Sequence, residues 1–169
     1  MTGLPLLFLL LHVGGAIIAF GPTFAFPVVG SMGGSEPMHS NFALRVNERI
    51  TTRIVIPLAV LEGITGIGLI WTLPVDLTKA LWLDTAVILY VIALGISTGF
   101  QLPAVQKLIE ATKNPPPAPP AGGPAPAGPP PHIAALIKRI QMGGISLTLL
   151  IVLIIILMVL GSNGSSASA

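Results

Sequence analysis

The stretch Ile140–Leu160, "IQMGGISLTLLIVLIIILMVL", runs for 21 residues without a charge. About 20 apolar residues in a helix cross the roughly 30 Å of hydrocarbon in a bilayer, so this stretch reads as a membrane span. Composition extends that reading to the whole chain. Hydrophobic residues make up 53% of the 169 and charged residues 8%, where an ordinary soluble domain carries about 25% charge. The mean hydropathy is +0.90.

Working back from that stretch, three more segments are long and apolar enough to cross. The first runs from Leu4 to about Val29, with Pro22 and Pro27 in its second half, where a kink is expected because proline removes a backbone donor. The second runs from Ile54 to Leu73 and extends backward from about Asn41 as an amphipathic lead-in. The third is Leu81 to Phe100, continuing through "QLPAVQKLIEATK". The first segment lacks the basic start of a signal peptide and reads as a retained span. The predicted fold is therefore all-α: a polytopic membrane protein built as an antiparallel four-helix transmembrane bundle.

Residues 1–113 hold helices one to three, 114–131 form a linker, 132–160 form the fourth span with its approach, and 161–169 are a small, polar tail expected to be disordered. The linker carries 10 prolines in 18 residues. It leans toward a solvated polyproline helix and does not dictate which helices pack together.

Charge sets the expected orientation. Arg45, Arg49 and Arg53 follow the first span, and Lys107, Lys113, Lys138 and Arg139 lie between the third and fourth, whereas Lys79 alone lies between the second and third. Seven basic residues against one place the connections one-to-two and three-to-four in the cytoplasm and both termini outside, in the cell's inner membrane. Trp71 and Trp82 flank the remaining connection and suit the interfacial aromatic belt. Asp84 reads as an exposed carboxylate favoured at a helix start.

Several function classes drop out. With no cysteine, there are no disulfides, thiolate ligands, Cys nucleophiles or covalent haem attachment. Scattered basic residues report topology, so no nucleic-acid partner is expected. No catalytic motif fixes a reaction.

The chemistry that remains lies in polar residues inside the apolar segments, each costly unless paired or protonated. At about 1.5 Å per residue from the outer helix ends, His12 lies roughly 13 Å deep, Glu62 roughly 16 Å and Tyr90 roughly 13 Å. Antiparallel packing would bring these three together as an intramembrane polar cluster. His12 is expected to hydrogen-bond Glu62, with Tyr90 as a third partner. Ala59, Gly63 and Gly66 around Glu62 offer a small-residue surface for a neighbouring helix. Gly14 and Gly15 beside His12 would let a helix or a flat ligand approach.

Three functions fit such a cluster: a register lock in a structural or accessory membrane subunit, a haem or metal site on His12, or a proton or ion path through His12 and Glu62. For haem b, one intramembrane histidine leaves the second axial ligand to another source, such as the second protomer of a homodimer or a larger membrane complex.

Arg45, Arg49 and Arg53 recur every four residues, a basic stripe suited to lipid headgroups or an anionic ligand. Met32, Met38 and His39 in "SMGGSEPMHS" are soft ligands at loose spacing, read first as an ordinary loop.

A histidine followed by glycines in helix one, the basic approach to "RIVIPLAVLEGITGIG", and a last helix introduced by basic residues and ending "ILMVLG" resemble an uncharacterised family of bacterial four-helix integral membrane proteins, domain of unknown function 2269. More distantly, the helix-one histidine and helix-two Pro57 are similar to copper-resistance-D-like and HemJ-like membrane proteins. The HemJ-like resemblance implies a haem ligand at His12. Those proteins carry a lysine early in helix three, where this chain has Asp84 in "LWLDTA", a departure from the oxidase pattern.

Overall fold

The computed structural model describes residues 3–36, 38–74, 77, 80–113 and 128–166, with 162–166 as backbone alone. Among these residues every regular element is helical, and four continuous helical rods are long and apolar enough to cross a membrane: Leu4–Ser35, Ser40–Thr72, Leu81–Ala111 and Pro131–Gly161.

The first rod is α1 (Leu4–Phe20), a 3₁₀ turn (Gly21–Ala25) and α2 (Phe26–Ser35). Pro22 and Pro27 each stand second in the piece that follows them, and the amide just before each still bonds back into the rod, Gly21 to the Ile17 carbonyl and Phe26 to that of Thr23. The prolines therefore tighten the rod without ending it. Thr23 helps by donating its hydroxyl to the Phe20 carbonyl at 2.6 Å.

The second and third rods share one device. α3 (Ser40–Ile50) joins α4 (Ile56–Thr72) through a π turn at Thr51–Val55, and α5 (Leu81–Ile96) joins α6 (Leu102–Ala111) through a π turn at Ser97–Gln101. Each π turn is followed at the second residue by a proline, Pro57 or Pro103. The residue just before each proline sends its amide five residues back, Ile56 to Thr51 and Leu102 to Ser97. Widening the turn lets the chain pass a residue that has no donor and keep its helical course. Because the rods are antiparallel, the two widened turns face the same end of the molecule.

The fourth rod is α7 (Pro131–Ser166). It does not stop at Leu160: the backbone expected to be disordered from residue 161 stays helical through Ser166. Glycine, serine and asparagine are poor helix formers, so this extension rests on the helix already nucleated, where each further residue fixed adds one hydrogen bond. Gly161 helps hold that end, because the Trp82 indole of α5 occupies the space where a side chain would be. The linker lies largely outside the described residues, as do residues 167–169.

α1 packs on α4 and α5 on α7 in the two most extensive interfaces, while α2, α3 and α6 pack at one end. That end is held by Asn41, whose Nδ2 donates to the Ile109 carbonyl (2.8 Å) and to Thr112 Oγ1 (2.9 Å), and by Asn47, whose Nδ2 donates to the Phe26 carbonyl (3.3 Å). It is called the basic end below, since it carries Arg45, Arg49 and Lys113. Trp71, 83% exposed, marks the opposite end.

The core is thin and made largely of small residues, with Val55, Leu83, Leu108 and Ile133 as its larger members. Ala19, Ala43, Ala59, Ala80, Ala86 and Ala104 are buried, while large residues such as Ile17, Ile67 and Leu149 point outward. An apolar exterior of this extent is a liability in water and the expected surface in lipid. Small inward residues let backbones approach closely, which is how helices associate where no hydrophobic force drives them together.

Candidate functional site

The polar groups at mid-membrane depth collect where α1 meets α4. His12 stands in the middle of α1 with Gly15 one turn further on, and Glu62, Thr65 and Gly66 lie along the face of α4 opposite. Residues three and four apart share a helix face, so Glu62, Thr65 and Gly66 form one surface. Counting from Trp71, Glu62 lies roughly 14 Å along the axis, close to the mid-plane of a 30 Å layer.

His12 Nδ1 is 3.0 Å from Glu62 Oε2 and 3.0 Å from Thr65 Oγ1. Thr65 Oγ1 in turn lies 3.0 Å from the Leu61 carbonyl and 3.1 Å from that of Glu62. A single proton placement satisfies all of these groups: Nδ1–H donates to Glu62 and Thr65, and the threonine hydroxyl donates back to its own helix. Both contacts use Nδ1, so Nε2 is the ring nitrogen that neither Glu62 nor Thr65 engages. Glu62 is 5% exposed, Thr65 2% and the His12 side chain 26%, so the carboxyl is interior while the imidazole sits at the edge of the helix pair.

A glycine makes the fit. The other carboxyl oxygen, Glu62 Oε1, has no hydrogen-bond partner in its buried position and presses on Gly15, where a β-carbon would collide with it. A β-carbon on Gly66 would lie 3.4 Å from His12 Cε1. Gly15 is thus the residue that admits the carboxyl, while a β-carbon on Gly66 would meet the ring only at ordinary contact distance.

Tyr90, expected as a third partner, reaches α4 on a neighbouring face. Its hydroxyl donates to the Ala59 carbonyl at 2.8 Å, above Gly63, where a β-carbon would come within 2.6 Å of the phenol oxygen. At 100° per residue, Ala59 and Gly63 sit 60–100° around α4 from Glu62 (about 3.6 residues per turn). The single hydroxyl proton goes to a backbone oxygen of the α4–α5 contact.

The remaining residues singled out from the sequence lie elsewhere. Arg45 and Arg49 line an open cleft of about 290 Å³ at the basic end with Glu48, Gln106, Ile109, Glu110 and Lys113, and Arg53 does not line it. His39 Nδ1 is 2.9 Å from Glu36 Oε2 at the exposed turn between α2 and α3, with Met32 and Met38 both exposed nearby. Asp84 is exposed in the first turn of α5. Lys79 lies outside the described residues.

As an axial haem ligand, His12 offers Nε2 while a carboxylate holds Nδ1, the arrangement usual for a metal-bound imidazole. His39 and His132 both stand at the basic end, so among the described residues no second histidine shares its depth. No group of three His, Cys, Asp or Glu side chains converges among them either. The donor set thus falls short of a complete bis-histidine site.

Two participants escaped the sequence reading. Thr65 was legible as the residue one turn from Glu62, yet a lone threonine in "LEGITGIG" carries no charge to draw attention. Gln101 sends Nε2 to the Ile140 carbonyl at 3.0 Å and sets Oε1 against Gly143, at the junction of the third and fourth rods. Its signal was the Gly143–Gly144 pair in the last span.

A family model described as a predicted integral membrane protein (DUF2269) matches residues 6–161, and the chain belongs to that family. No curated protein and no solved structure matches it.

Proposed function

We propose that this DUF2269 chain is a structural or accessory subunit of the cell's inner membrane, in which the contact of His12 with Glu62 and Thr65 locks the first spanning helix to the second. The observation that carries this reading is where the intramembrane polar groups end. His12 meets Glu62 and Thr65, Tyr90 meets the Ala59 carbonyl, and Gln101 meets the Ile140 carbonyl, each a bond between helices. Groups used this way fix helix rotation and register.

The bilayer is the first partner, and a homodimer or larger membrane complex is the proposed setting. The proposed orientation has both termini outside and the basic end in the cytoplasm, supported by seven of the eight Lys and Arg residues on the connections at that end. A reporter inserted after Lys113 is expected to behave as cytoplasmic; periplasmic behaviour reverses the orientation.

A second reading, proton transfer through the His12–Glu62 pair, is favoured by the buried Glu62 Oε1 that has no partner. One experiment separates the two. Full-length protein in proteoliposomes under an imposed pH gradient is expected to leak no faster than protein-free vesicles, while His12→Ala and Glu62→Ala lower its thermal midpoint in detergent. A flux that Glu62→Gln abolishes, in a variant that melts like the wild type, overturns the structural reading and establishes the second.

A further inference from the structure

We infer that the cleft between α3 and α6 is a binding site for the headgroup of a monoanionic phospholipid bearing hydroxyl groups, of which phosphatidylglycerol is the simplest. The inference concerns a different region from the His12–Glu62 contact and stands or falls separately from it.

Depth is the first argument. Taking the exposed Trp71 as the interfacial marker at one surface, Arg53 lies about 27 Å along the rod, Arg49 about 33 Å and Arg45 about 39 Å. The hydrocarbon is about 30 Å thick, and the headgroup layer adds several ångströms on each side. Arg53 therefore falls at the hydrocarbon edge, whereas Arg49 and Arg45 bracket the phosphate layer. Those two, and not Arg53, line the cleft.

Charge is the second. Lys113 Nζ is 2.6 Å from Glu110 Oε2, so that pair neutralises itself. Glu48 Oε1 accepts from Gln106 Nε2 at a long 3.4 Å and keeps acceptor capacity. Arg45 and Arg49 are the other two cations lining the cleft. The cleft thus holds three cations and two carboxylates, leaving one positive charge for one phosphodiester. A zwitterionic choline headgroup would bring its own cation and no hydroxyl donor. A glycerol headgroup brings no cation, and its hydroxyls suit the Glu48 carboxylate.

Construction is the third. The walls come from two rods whose relative position is set by Asn41, bonded to Ile109 and Thr112. Ile109 is itself a wall of the cleft, giving an apolar surface on which the glycerol backbone and first methylenes of a lipid rest.

The test is native mass spectrometry of the full-length protein in detergent, titrated with phosphatidylglycerol or with phosphatidylcholine of the same chains. Phosphatidylglycerol is expected to bind at least tenfold more tightly. The Arg45→Gln/Arg49→Gln double variant should weaken it about thirtyfold, since each surface cation contributes about a further fivefold, while Arg53→Gln leaves the preference intact. Equal binding of the two lipids, or a double variant that keeps the preference, overturns the site. Loss on Arg53→Gln as large as in the double variant also overturns it, because the stripe as a whole would then be responsible. Soluble glycerol 3-phosphate is the third arm: displacement of the lipid at equimolar concentration assigns the cleft to a free anion. Should the double variant fail to fold, salt on the wild type decides. The preference must fall as ionic strength rises, and a preference unchanged at high salt refutes the charge-based site.

Discussion

The two helix pairs solve the same packing problem with different chemistry. Where α1 meets α4, a glycine admits an ionisable group: Gly15 faces Glu62, whose other oxygen is held by His12. Where the third rod meets α7, glycines admit neutral groups: Gly143 faces the Gln101 amide and Gly161 the Trp82 indole, with Arg139 lying 4.0 Å over the Phe100 ring. A neutral amide bonded to a backbone carbonyl loses little when it is deleted. Removing His12 leaves the buried Glu62 carboxyl with no hydrogen-bond partner away from water, whereas removing Glu62 leaves His12 with Thr65 alone. The first pair is therefore the more specific contact and the more fragile.

The largest effects come from filling the glycines, which tests the close approach that both pairs share. Gly15→Leu should cost about 3 kcal/mol, since the side chain displaces the Glu62 carboxyl in a tightly packed contact, read as the free energy of unfolding on titrating bicelle-bound protein with sodium dodecyl sulfate. Gly143→Leu, measured in the same way, should cost a similar amount, because steric filling is indifferent to the charge of what it displaces. A much smaller loss at Gly15 would mean that α1 and α4 are not held as closely as described.

Next in size is Glu62→Ala, expected to cost about 2 kcal/mol by leaving His12 Nδ1 with Thr65 alone. Gln101→Ala should cost about 0.6 kcal/mol, the average for a hydrogen bond between membrane helices. Measured side by side, the ratio of these two losses is the test of the contrast. Equal losses would remove the distinction between the ionisable and the neutral pair.

An effect as small as that of Gln101→Ala belongs to the contact between the pairs. Tyr90→Phe deletes only the hydroxyl that donates to Ala59, and about 0.6 kcal/mol is expected from the same denaturation series. Glu62→Ala/Tyr90→Phe should be additive with its parents, because the Tyr90 hydroxyl meets a different face of α4 from the one Glu62 presents and the two share no bond. A coupling above about 0.5 kcal/mol would instead put Tyr90 inside the His12–Glu62 cluster.

How legible the site was follows from what each residue announces. His12 and Glu62 stand out because charge-bearing side chains are rare among apolar ones, and their matching depths follow from rise per residue. Gly15 was visible only as a generic small residue; its role depends on which side chain lies opposite. Thr65 and Gln101 were passed over because an uncharged polar residue is common in a span and gains meaning only from a partner on another helix. The basic stripe was legible as a period of four, but its division was not. Arg45 and Arg49 differ from Arg53 through the position of α6, more than fifty residues further along.

Four spans, their approximate limits and the basic asymmetry are properties of segments taken singly, since transfer into hydrocarbon is a near-sum over residues and needs no knowledge of neighbours. That is why hydropathy and charge counting suffice for them. The direction each helix turns about its own axis is a different quantity. Rotation leaves the transfer energy of a uniformly apolar helix almost unchanged, so it is set by contacts: a carboxyl against Gly15, an indole against Gly161, a phenol above Gly63. The π turns before Pro57 and Pro103 belong to the same class. Proline announces a missing donor in the chain, and the packing around it selects whether the helix ends, tightens or widens.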